Sequence, residues 1–103
     1  MIQMLKNLFG LGPGVDYNEL MAKGAVIVDV RTKGEYAGGH IKGSVNIPLN
    51  NLQSQLKQIK KDRPVITCCA SGMRSASAKG ILQSAGYEAY NGGGWMSLKS
   101  KLN

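Results

Sequence analysis

Short, uniformly apolar runs alternate along this chain with stretches of helical periodicity. Ala25 to Val30 (AVIVDV) and Pro64 to Cys69 (PVITCC) are β-prone runs with little polar alternation, the pattern of strands buried on both faces of a parallel sheet. Shorter strands are expected at Val15, in SVNIPL up to Pro48, and around Glu88 to Tyr90. Between them, VDYNELMAKG predicts a helix with Asp16 as N-cap, Glu19 three residues later, and Gly24 as its end. NNLQSQLKQIKK places Leu52, Leu56 and Ile59 on one helical stripe. SASAKGILQSAG predicts a helix from near Ser75 that stops at Gly86, and a last helix is expected from Trp95, after three glycines. Strands that alternate with helices predict an α/β domain, a mainly parallel sheet flanked by helices on both faces. Ligands in such sheets bind where a strand ends and the next helix begins, which directs attention to the turn after PVITCC.

A chain of 103 residues has room for one core and therefore one principal site. We expect an N-terminal arm over residues 1–14, broken by Gly10 and Gly12, and a domain over 15–103. The arm lacks a small-residue cleavage site and no apolar run reaches the length of a membrane span, so neither a signal peptide nor a spanning segment is expected. The net charge of +7 is spread from Lys6 to Lys101, and its only cluster, Lys60, Lys61 and Arg63, contains Asp62. That pattern predicts a solvated helix end and no nucleic-acid stripe, while a positive domain attracts small anions such as thiosulfate or phosphate.

The two cysteines, Cys68 and Cys69, are neighbours and so cannot form a long-range disulfide. With one histidine and no CxxC, they make no structural metal site. Adjacent free thiols fit a reducing compartment, hence the cytoplasm, or chemistry. Cys69 closes a buried strand and precedes Ala70, Ser71, Gly72, Met73 and Arg74. Turn amides, the positive end of the following helix and the Arg74 cation would together favour a thiolate. Gly72 permits the backbone angles that curl amides around one sulfur, and the small Ala70 and Ser71 keep the pocket open. Ala70, Ser71, Gly72, Met73 and Ser75 are expected to form the substrate-binding loop, with Ser75 also read as a helix cap. Strand alternation turns Cys68 away from Cys69, as a small buried residue.

The segments IVDVRTKGEYAGGHIKGSVNIPL (Ile27 to Leu49) and VITCCASGMRSASAKGILQSAGY (Val65 to Tyr87) resemble single-domain rhodanese homologues, and the likeness runs over about residues 15 to 98. The resemblance implies a five-stranded, mainly parallel sheet, an active loop from Cys69 to Arg74 and Cys69 at the persulfide position. It implies a ping-pong transfer of a sulfane sulfur from a donor such as thiosulfate to cyanide, a thiol or a protein acceptor, without a cofactor. Asp29, Arg31, Glu35 and His40 match polar positions of the family's first motif. Of these, Asp29 and Arg31 are expected to brace the loop, Arg31 to pair with Glu35 at spacing four, and His40 to be a packed, hydrogen-bonded residue. Trp95 comes earlier than the family's usual tryptophan, with Ser97 at that spacing.

Two other readings compete. Cys68 to Arg74 meets the C-x5-R spacing of cell-cycle dual-specificity phosphatases, whereas C-x-x-G-x-R is met from Cys69 through Gly72 to Arg74. The glycine register favours Cys69 and sulfur transfer, because a shorter loop suits one sulfur better than a tetrahedral phosphate. A persulfide carrier or interaction module that serves protein partners is the other alternative. A strained vicinal disulfide is not expected.

Overall fold

The computed structural model describes residues 14–103, so the expected arm lies, apart from Gly14, outside the described residues. The chain order is α1 (Tyr17–Ala22), β1 (Val26–Asp29), α2 (Lys33–Ala37), β2 (Val45–Asn46), α3 (Leu49–Leu52), a 3-10 segment (Gln53–Gln58), β3 (Val65–Cys69), α4 (Met73–Ser84), β4 (Ala89–Gly94) and α5 (Trp95–Lys101). The strands form one sheet in the order β2-β1-β3-β4, and every pairing is parallel.

The two β-prone runs become the central strands, as their lack of alternation predicts. Val28, Val30, Val65 and Cys69 enter one core with Leu52 and Leu82, beneath α3 and α4. Ala25, Ile27, Ile66 and Cys68 enter the other with Leu20 and Leu98, beneath α1 and α5. Leu52, Leu82 and Leu98 are fully buried. Each contributes about 1.5–3 kcal/mol relative to exposure, which anchors the helices to the sheet.

Four strands are present among the described residues where five were expected. Val15 is not a strand: Asp16 immediately follows, and its Oδ1 accepts the Glu19 amide at 3.1 Å to start α1, which leaves no length for a ladder. The expected helix over NNLQSQLKQIKK tightens after one turn into the 3-10 segment, with a kink at Gln55. The buried Tyr87 hydroxyl lies 2.7 Å from the carbonyl oxygens of both Leu56 and Ile59 and draws those groups out of a regular ladder.

The strand near Tyr90 is longer than expected and runs through the glycines to Gly94. A Cβ on Gly92 would stand 2.8 Å from the Thr67 carbonyl oxygen and 2.9 Å from Leu98, so only glycine lets β4 approach β3 there. A register irregularity between Thr67 and Cys69 then pairs Cys69 with Gly94, which sets the end of β4 beside the turn after β3. Gly86 follows α4 with a positive φ of 93°, the C-cap role read from the sequence.

Candidate active site

The turn after β3 is built by three residues. Gly72 has φ 108° and ψ −13°, a left-handed conformation that costs other residues strain, and it opens α4. Its amide thereby turns back onto the Cys69 Sγ at 2.9 Å, and the Ser75 amide joins at 3.3 Å. The Ser75 Oγ lies 3.4 Å from the same sulfur. Ser75, expected both as a helix cap and as part of the loop, is fully buried, and its hydroxyl faces the thiol. The helix α4 is 12 residues long and starts two residues before the expected Ser75, so its positive end is aimed at Cys69.

These contacts set the ionisation of the two thiols apart. Burial pushes the Cys69 thiol up, but the Ser75 hydroxyl and the amides of Ser75, Gly72 and Ser71 outweigh it and hold the thiol below its ordinary value. Cys68 is fully buried in the opposite core, where burial and then the Asp29 carboxylate push its thiol up to about 12. The structure therefore turns the neighbours to opposite faces, as strand alternation predicts. Both are free thiols.

Arg74 is held beside the loop by a bidentate pair with Glu35, at 2.8 and 3.0 Å. The Arg74 guanidinium, ahead of hydrogen bonds from Thr32, holds the Glu35 carboxyl down to about 2. Glu35 is fixed in turn by a capping box in which Thr32 and Glu35 satisfy each other's backbone at the start of α2. The T-x-x-E signal for that helix stands in the sequence, at Thr32 to Glu35, although the hydrophobic pattern predicts no helix there. The Arg31–Glu35 pair expected at spacing four does not form through the carboxylate. Arg31 instead grips Asp29, with Nε 3.0 Å from both oxygens and Nη2 2.8 Å from Oδ2, because both side chains are buried and satisfy each other there. Arg31 also donates to the Gly39 and Glu35 carbonyls and lies under Trp95 at 4.7 Å.

Asp29 and Arg31 thus support the Cys68 side of the sheet, one layer from the loop. Trp95 covers Arg31, and Leu98 takes the buried position in α5 while Ser97 is exposed. His40 is hydrogen-bonded through Nδ1 to the Tyr36 carbonyl at 2.7 Å and stacked on Tyr36, yet it is exposed instead of packed in the core. Ala70 and Ser71 are exposed, and Met73 is 80% exposed. A polar residue that the sequence reading assigned no role, Asn91 of β4, meets Ser75: its Oδ1 lies 2.6 Å from Ser75 Oγ. Nothing in a run of glycines marks such a contact in advance. Among the described residues, no group of three His, Cys, Asp or Glu could hold a metal ion, and no helix is long and apolar enough to cross a membrane.

Comparison with known proteins finds relatives of this chain and of its fold. The model of the rhodanese-like domain matches residues 15–101. An uncharacterized protein, YqhL, of Bacillus subtilis (strain 168) is 41% identical over 65% of this chain and 54% of its own length. The thiosulfate sulfurtransferase GlpE of Pseudomonas fluorescens (strain SBW25) is 38% identical over 66% of this chain and 62% of its own. The chain thus spans a little over half the length of these relatives. The crystal structure of a rhodanese-like domain protein from Staphylococcus aureus superposes with a TM-score of 0.71 at 34% identity, over 81% of each chain.

Proposed function

The chain belongs to the rhodanese-like family of sulfurtransferases, and we propose that within it Cys69 carries a sulfane sulfur as a persulfide. The observation that carries this reading is the convergence of the Gly72 and Ser75 amides on the Cys69 sulfur, at 2.9 and 3.3 Å, while Cys68 faces the other core. A thiolate is the nucleophile sulfur transfer needs, and these donors favour it.

The Cys69 thiolate attacks the outer sulfur of a donor such as thiosulfate. A new S–S bond forms as the donor's own S–S bond breaks, and sulfite leaves with the electron pair. A nucleophile such as cyanide or a thiolate then attacks the outer persulfide sulfur, and the electron pair returns to Cys69 as thiolate. Sulfur and charge balance in each half without a cofactor. The turn amides suit the negative charge of both the free thiolate and the persulfide. Arg74, partly exposed at the helix start, suits an incoming anion, and Ala70, Ser71 and Met73 form the exposed rim it must pass.

The exposure of Met73 also favours a protein thiol as acceptor, since a bare apolar side chain beside the loop offers contact area to a macromolecule. A cycle through free thiols suits a reducing, cytoplasmic setting. The phosphatase reading needs Cys68 as nucleophile, and burial works against that thiol. The deciding experiment is the intact mass after incubation with thiosulfate. Wild-type protein should gain one sulfur and Cys69→Ser none. A gain that survives Cys69→Ser, or release of phosphate from an aryl phosphate that is lost only with Cys68→Ser, would overturn the assignment.

A further inference from the structure

The Ser75 hydroxyl has one proton and three claimants. Asn91 Oδ1 lies 2.6 Å from Ser75 Oγ, the Gly72 carbonyl oxygen 3.0 Å, and the Cys69 sulfur 3.4 Å. The orientation of the Asn91 amide is fixed independently. The Gly93 amide donates to the same Oδ1 at 2.8 Å, so that atom must be the acceptor oxygen and not the NH2 group. The backbone of Asn91 is tied as well, since the Tyr17 hydroxyl donates to its carbonyl at 3.0 Å. A chain of hydrogen bonds follows, in which the Cys69 thiol donates to Ser75 Oγ and Ser75 donates to Asn91 Oδ1. The thiol form satisfies every group in it. The thiolate reverses the demand, because an ionised sulfur only accepts and needs the proton that Asn91 holds.

We propose that Asn91 is a positioning residue for Cys69: by competing for the Ser75 hydroxyl proton it restrains thiolate formation and so sets the pH range over which the thiol becomes a nucleophile. The Gly72 and Ser75 amides and the Ser75 hydroxyl favour the thiolate, and Asn91 trims the hydroxyl's share by competing for its proton. The remaining groups around Cys69 are accounted for. Arg74 faces it from α4 with Glu35 of α2 bound to the guanidinium, Cys68 adjoins it in β3, and Asp29 of β1 acts from the far side through Cys68. The titratable residue of β4, Tyr90, packs against the opposite core and bonds Glu88. Asn91 is neutral, so its influence passes through hydrogen bonding alone. For its catalytic meaning the inference rests on Cys69 as the sulfur carrier, but the ionisation itself can be read without any sulfur donor.

The test is the ultraviolet absorbance of the thiolate against pH, in a Cys68→Ala background so that one sulfur is observed. Asn91→Ala leaves the Ser75 proton to the sulfur and the Gly72 carbonyl, of which only the sulfur becomes charged as pH rises, and should lower the Cys69 midpoint by up to about one pH unit, the worth of one hydrogen bond. Asn91→Asp keeps the size and the acceptor for Gly93, and its negative charge should raise the midpoint by about the same amount. In a Ser75→Ala background, Asn91→Ala should move the midpoint no further. A shift of both variants in the same direction, or an Asn91→Ala effect that persists without the Ser75 hydroxyl, would overturn the proposal in favour of a merely structural Asn91. If these shifts appear and thiosulfate still leaves the mass unchanged, the sulfurtransferase reading fails while this one stands.

Discussion

Cys68 and Cys69 share one strand and one peptide bond, and the sheet assigns them opposite chemistry. The Cys69 sulfur meets the start of α4, two backbone amides and a hydroxyl, and is favoured as an anion. The Cys68 sulfur meets apolar side chains and a carboxylate already satisfied by Arg31, and is held as a thiol. Both are buried, with exposures of 0% and 1%, but at Cys69 hydrogen-bond donors outweigh the effect of burial, while at Cys68 none do. What separates them is whether the surrounding donors are free. On one face the turn spends unpaired helix-end amides on sulfur; on the other, every strong donor near Asp29 is engaged by Asp29 itself or by backbone carbonyls.

The largest effect should come from breaking the support on the Cys68 face. Asp29 is fully buried and the Arg31 side chain only 5% exposed, so Arg31→Ala leaves a carboxylate buried without its partner. A loss of about 3–5 kcal/mol in unfolding free energy is expected, measured by urea denaturation. The Cys69 titration of the surviving folded protein should stay below the ordinary thiol range. A loss under about 1 kcal/mol, or a Cys69 midpoint that climbs with it, would merge the two faces into one unit.

Two glycines of β4 sharpen the same division with smaller changes. Gly92→Ala drives a Cβ to 2.8 Å from the Thr67 carbonyl oxygen and 2.9 Å from Ile66 and Leu98, on the Cys68 face. It should cost about 1–3 kcal/mol of stability and leave Cys69 ionisation in place. Gly94→Ala instead meets the Ala70 carbonyl oxygen at 2.9 Å and pushes the turn itself. There the expected loss is in chemistry: a midpoint raised by about one pH unit and correspondingly less thiolate for sulfur uptake below it. Equal changes in stability and ionisation from both substitutions would contradict the division.

The sequence made the central strands and the Cys69 turn legible because those features are local. AVIVDV and PVITCC declare burial on both faces, and the positions of Gly72 and Ser75 follow from a strand that runs into a helix. The fifth strand failed at Val15 because the N-cap Asp16, the very next residue, took the chain into α1 first. The helix after Pro48 keeps its predicted stripe in one core but tightens into a 3-10 segment because its C-terminal carbonyls belong to Tyr87, some thirty residues on, and no window of periodicity sees that contact. Of the partners among Asp29, Arg31, Glu35 and Arg74, the Glu35–Arg74 pair is equally non-local. Spacing four allowed Arg31 to reach Glu35, but the register of β1 beside β3 buries Asp29 next to it and leaves Glu35 to an arginine from another helix. Asn91 was invisible for the same reason, since only the pairing of β4 with β3 brings it to Ser75.

The smallest effect should follow from the substitution that removes one side of the comparison altogether. Cys68→Ala deletes a single buried sulfur and no strong hydrogen bond, so a stability loss of about 1–2 kcal/mol is expected from lost burial and the small void left behind. Sulfur uptake should persist. Its rate must rise with pH as Cys69 ionises, because the thiolate attacks. Since the folded protein holds this thiol below its ordinary value, the rise should level off before an ordinary thiol would have titrated. The Cys68→Ala profile should overlay that of the wild type, read as mass gain from thiosulfate against time at each pH. A lost plateau, or a midpoint displaced by a full unit, would mean that Cys68 shares the proton of its neighbour, and the two sulfurs would then have to be treated as one coupled site despite facing apart.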